Sequence, residues 1–146
     1  MRRMPLVVLL AGCAAAPRPV LHEPGPVADR CHELIEILAS SGSDERKRDA
    51  LRELTALGRA AMPCLLEHWN DERYAMEMVS PYSQRPDLHC CVGELMSLLF
   101  CHDILCIAPV GIADPAAWWR EHRNDSLEAM RADLDSRRPP PPDRPH

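Results

Sequence analysis

The stretch ALRELTALGRAAMPCLLEHWND, residues 50–71, decides the fold. Ala50, Leu51, Leu54 and Leu57 recur at spacings of three and four, the period that lines one face of an α-helix. Gly58 follows as a helix stop, and Pro63 stands where a first helical turn tolerates a residue without an amide proton. Leu65, Leu66 and Trp69 make a second apolar face, which Asn70 and Asp71 close. The spacing predicts two short helices folded back on each other.

Outward from this hairpin the period stays helical. Upstream, Ser43 with Asp44 and Glu45 supplies a cap and two acids for the positive end of the helix that carries Ala50. Before it, Cys31, Leu34, Ile35 and Leu38 lie on one face of a helix expected to start at Asp29 and to end at Gly42. Downstream, Leu88, Cys91, Leu95, Leu98 and Leu99 are expected on a central helix, with Val92, Met96 and Phe100 widening its apolar face. Asp114 and Pro115 open a helix with Trp118 and Trp119, and Asn124 to Ser126 open another with Leu127, Met130 and Leu134. The fold class expected is all-α, a small domain of about five or six helices over residues 29–136.

The hairpin residues resemble a HEAT-type repeat: Ala-Leu, then Leu, then Leu-Gly, Ala, Pro, Leu-Leu and Asn-Asp at that family's spacing, from Asp44 to about Arg73. The ending, with Val92, Gly93 and Glu94, then Asp-Pro before paired tryptophans, then Ser-Leu-Glu, is similar to the C-terminal ends of bacterial HEAT-like proteins. The resemblance implies antiparallel helix pairs with a ridged surface, employed in binding other proteins. One clear copy is present.

Both ends differ from this middle. Arg2 and Arg3 precede an apolar run from Met4 to Gly12, far short of the roughly 20 residues that span a bilayer, so it reads as a targeting segment. Its ending, Leu10, Ala11, Gly12 and Cys13, resembles the lipobox of bacterial lipoproteins. That resemblance implies removal of residues 1–12, acylation of Cys13 and anchorage to the lipid bilayer, with two or three acyl chains at about 0.8 kcal/mol per buried methylene. Ala14 after the cysteine points, by the enterobacterial sorting rule, to the outer membrane and the periplasm. Residues 13–28, with Pro17, Pro19, Pro24 and Pro26, are expected to be an extended tether, and residues 137–146, with Pro139 to Pro142, a disordered tail.

Loss of residues 1–12 takes away Arg2 and Arg3 and no acid, moving the net charge from -5 to -7. Such a balance argues against nucleic acid as a partner.

Six cysteines remain: Cys31, Cys64, Cys90, Cys91, Cys101 and Cys106. In an oxidising compartment one or two disulfides are expected, with Cys31–Cys64 and Cys101–Cys106 the pairs that helix packing and a turn favour. A competing expectation is a metal or thiol-redox module, since His89, Cys90, Cys91, Cys101, His102 and Cys106 crowd soft ligands into 89–106, although without a Cys-x-x-Cys pair. His32, His68 and His122 each adjoin a glutamate and are expected on solvated helix faces. No His-Glu-x-x-His, Gly-x-Ser-x-Gly or glycine-rich phosphate loop occurs, so neither an enzyme nor a cofactor is expected. The connector from Tyr74 to Asp87, with Tyr82 and Arg85, is the expected interaction loop for an unidentified protein partner.

Overall fold

The computed structural model describes residues 18–78 and 88–140. Cys13, Tyr82 and Arg85, and with them the lipobox and most of the expected interaction loop, lie outside the described residues. The chain is mainly α-helical: α1 (Pro26–Ala39), α2 (Asp44–Leu57), α3 (Met62–Glu67), α4 (Val92–Leu98), α5 (Pro115–His122) and α6 (Leu127–Ser136). A 3-10 turn over Gly58–Ala61 joins α2 to α3, and a π-type turn over Leu99–Ile104 extends α4. Among the described residues no helix is long and apolar enough to cross a membrane.

Local chemistry places most of these boundaries. Ser43 accepts from the Arg46 amide, Asp114 from Ala117 and Ser126 from Ala129, each capping the helix expected at that point. Gly58 ends α2 at φ 56°, a left-handed conformation that favours glycine. Helix α1 starts at Pro26, three residues before the expected cap Asp29, because a proline in the first turn brings a pre-set φ. The stretch from Arg18 to Gly25 is not a free spacer: Leu21 packs against the core, and the Leu21 and His22 amides donate to Glu67.

The expectation of an all-helical chain is corrected at one place. Strand β1 (Tyr74–Met78) pairs antiparallel with β2 (Leu88–Cys91), in the register Tyr74 to Cys91 and Met76 to Cys90, with a bulge between Tyr74 and Met76. The expected central helix therefore begins at Val92, not at Leu88. Leu88, Cys91 and Leu95 keep a helical spacing across the junction, but Glu94 accepts from the Cys91 amide and makes a helix start there. Lys47 of α2, almost wholly buried, donates its ammonium to the Ala75 carbonyl at the bulge and lies over the Tyr74 ring.

One core joins all of this. Leu34, Ile35 and Leu38 of α1, Leu54 of α2, Leu65 and Leu66 of α3, Met96, Phe100, Met130 and Leu134 are fully enclosed. Phe100 makes T-shaped contacts with two indoles, Trp69 and Trp118, each at 5.5 Å between centroids. Gly93 lets α4 approach the turn after α3: its amide donates to the Asp71 carbonyl at 2.8 Å, and a Cβ in its place would stand 2.4 Å from the Trp69 carbonyl oxygen.

Candidate functional site

Helices α1 and α3 cross so that Cys31 and Cys64, expected to lie near each other, meet in the core with both side chains fully buried. Cys31 belongs to the apolar face of α1, and Cys64 sits one position after Pro63 in the first turn of α3. Neighbouring positions on the same helices add His32 and, one turn on, Glu67 and His68. His22 closes the group from the segment before α1, held there by the amide bonds to Glu67.

Glu67 organises the imidazoles. Its Oε1 lies 3.3 Å from His22 Nδ1 and its Oε2 lies 3.2 Å from His32 Nε2. Since a carboxylate only accepts, it favours the proton on those two nitrogens and leaves His22 Nε2 and His32 Nδ1 for other duty. His22 Nε2 is buried and has no aligned hydrogen-bond partner. His32 Nδ1 lies 3.9 Å from Cys64 Sγ and 3.2 Å from His68 Nε2. His68 Nδ1 in turn faces Asp71 Oδ2 at 2.9 Å, and Arg18 and Arg73 complete that carboxylate's surroundings.

The charges follow the contacts. The Cys31 thiol is lowered to about 6, first by the hydrogen bond from Cys64, against the opposing effect of burial, and then by the His22 imidazole. Cys64 is pushed up by the Cys31 sulfur beside it and by burial. Burial alone would lower His22, yet Cys31 and Glu67 raise it to about 9. Burial opposes ionisation of Glu67 as well, and the His22 ring with the Leu21 and His22 amides bring it down to about 2. His68 is lowered, chiefly by burial, with Asp71 acting the other way. The centre is thus a buried pair of cysteines beside the His22 and His32 imidazoles, with the Glu67 carboxylate on both rings and the His68–Asp71 pair adjoining His32.

The other expected sites are not assembled in this way. All six described cysteines are free thiols, and the one or two disulfides expected among them are not formed. Cys90 is buried in β2, Cys91 precedes α4, Cys101 is enclosed by the π-type turn, and Cys106 is exposed at φ 55°. Burial pushes the Cys90 and Cys101 thiols up. Among the described residues, the group of ligand atoms within reach of one ion is His22, His32 and Cys64, and nothing in 90–106 joins it; the His89 side chain lies outside the described residues.

The expectation of solvated histidines is corrected too: His68 and His122 are buried, and only His32 is substantially exposed. Each buried ring has an aspartate three residues on, Asp71 for His68 and Asp125 for His122, in the turn that ends its helix. Sequence reasoning passed over His22 and Glu67. The signal for them was thin: Cys31-His32 and Cys64-x-x-Glu67-His68 put like groups on two helices, and Leu21-His22 is the one place where the proline-rich segment carries a large apolar residue beside an imidazole.

Compared with known proteins, the chain matches no family model, no curated protein and no solved structure.

Proposed function

We propose that this protein is a lipid-anchored module of the bacterial cell envelope, held at the outer membrane by acylated Cys13 and facing the periplasm, where a HEAT-like helical domain acts by binding a protein partner. The observation that carries the reading is the four-residue ending Leu10-Ala11-Gly12-Cys13 behind Arg2, Arg3 and a short apolar run. Support comes from the mainly helical fold with the hairpin at Ser43 to Glu67, and from the burial of the Cys31 and Cys64 sulfurs, which keeps both beyond the reach of an organic substrate. On this reading the chain is a binding protein and not an enzyme. The alternative expected for residues 89–106, a metal or thiol-redox module, finds its support in a different part of the fold, around Cys31 and Cys64.

Intact mass and membrane fractionation of the wild type and of Cys13→Ser test the anchor. The expected wild type lacks residues 1–12, carries acyl chains and stays with the membrane, while Cys13→Ser keeps its leader and gains no lipid. A Cys13→Ser protein with the mass increments and membrane partition of the wild type would overturn the reading.

A further inference from the structure

We propose that His22, His32 and Cys64 form a three-ligand site for a zinc ion, with Glu67 as the outer carboxylate that aims both imidazoles. The proposal stands on these residues alone and does not depend on the anchor at Cys13.

Geometry carries it. One ligating atom from each of His22, His32 and Cys64 lies within 4.8 Å of the others. Zinc–nitrogen bonds of about 2.0–2.1 Å and zinc–sulfur bonds of about 2.3 Å set nitrogen-to-sulfur edges of roughly 3.6 Å in a tetrahedron. The 3.9 Å between His32 Nδ1 and Cys64 Sγ is close to that edge. Thiolate and imidazole are both zinc ligands, and three protein ligands with a fourth position left open is an arrangement that zinc takes.

Three further features point to an ion. His22 Nε2 is a buried nitrogen without an aligned partner, on a side chain only 8% exposed, while its Nδ1 is held by Glu67. A metal-bound imidazole characteristically gives its other nitrogen to a carboxylate in this way, and Glu67 does so for both rings, one oxygen to each. Second, the carboxylates Glu67 and Asp71 favour protons on His32 Nε2 and His68 Nδ1, and His32 Nδ1 and His68 Nε2 then stand 3.2 Å apart, a contact that takes one further positive charge, a proton or a metal ion. A dication on His32 Nδ1 supplies that charge. Third, the sulfurs are sealed from anything larger, yet His32 is 43% exposed and gives an ion a route to the surface.

The test uses the full chain, purified under reducing conditions, loaded with zinc and passed over a chelating resin. The expected result is a single zinc ion retained per chain, with an X-ray absorption shell of mixed sulfur and nitrogen. His32→Gln, at a half-exposed position, and His22→Gln are expected to lose the ion while keeping the helical circular dichroism of the wild type. Cys64→Ser should also lose it, whereas Cys106→Ser and His102→Gln retain it. Wild type that keeps no zinc, a shell without sulfur, a Cys31–Cys64 disulfide persisting under reduction, or full zinc in His22→Gln and His32→Gln would each overturn the proposal. Cys13→Ser is expected to bind zinc like the wild type, which separates failure of the metal site from failure of the anchor reading.

Discussion

His22 Nδ1 lies 3.3 Å from Glu67 Oε1, and the peptide amides of Leu21 and His22 converge on the same oxygen at 2.5 and 2.8 Å. This one carboxylate fastens the segment before α1 onto α3, across 45 residues of chain. Charge-assisted hydrogen bonds to a buried carboxylate are the strong kind, and their loss strands amides that water no longer reaches.

Glu67→Gln keeps the shape and removes the charge. It should lower unfolding stability by about 1.5–3 kcal/mol and speed amide hydrogen exchange at Leu21 and His22 more than at Leu34 or Leu54. Exchange at those two amides equal to the wild type would show that the segment is held by packing instead.

Gly93→Ala places a Cβ 2.4 Å from the Trp69 carbonyl oxygen, a contact that only a shift of α4 or of the turn after α3 can relieve. Thermal or urea unfolding should show a loss of about 1–3 kcal/mol. Gly111→Ala, where a Cβ meets nothing within 4 Å, is the control and should be near neutral.

Lys47 has its ammonium on the Ala75 carbonyl in the interior. Lys47→Met keeps the stem and leaves that carbonyl without its donor, which should cost about 1–3 kcal/mol in urea unfolding. The loss should appear as faster exchange along β1, since the bulge between Tyr74 and Met76 is where the donor acts.

Asp71 governs the acid limb. Burial opposes its ionisation, yet Arg73 and His68 hold its carboxyl well below the usual range. A carboxyl depressed on folding contributes stability that is fully present above the unfolded value of about 3.9 and fades as the pH falls through the folded value. Urea unfolding from pH 6 downwards should therefore show Asp71→Asn less stable than the wild type, with the gap closing below about pH 4. A gap independent of pH would assign the loss to packing and not to charge.

Much of the helical framework was legible because its signals are local. Ser43, Gly58, Asp114 and Ser126 each satisfy or release backbone groups within four residues of themselves, so their chemistry is the same in the chain as in the fold. The apolar period of Cys31, Leu34, Ile35 and Leu38 likewise needs only the helix itself to bring those residues to one face. The strand pair was not legible. Leu88, Cys91 and Leu95 fit a helix equally well, and only the distant support of Lys47 and the pairing with Tyr74–Met78 favour an extended chain up to Cys91.

The sequence by itself determined the helical faces, their caps and stops, the proline-rich character of both ends and the supply of cysteine and histidine. Tertiary structure alone decided which of those cysteines and histidines meet. Cys31 and Cys64 stand 33 positions apart and His22 and Glu67 another 45, and no periodicity relates such residues; their meeting follows from the crossing of α1 and α3 and from the anchoring of the preceding segment. The dense run at 89–106 looked richer in ligands, but proximity along a chain does not aim side chains at one point. A strand, a helix start and a π-type turn point Cys90, Cys91, Cys101 and Cys106 into different surroundings, while two crossing helices bring Cys31 and Cys64 together in one.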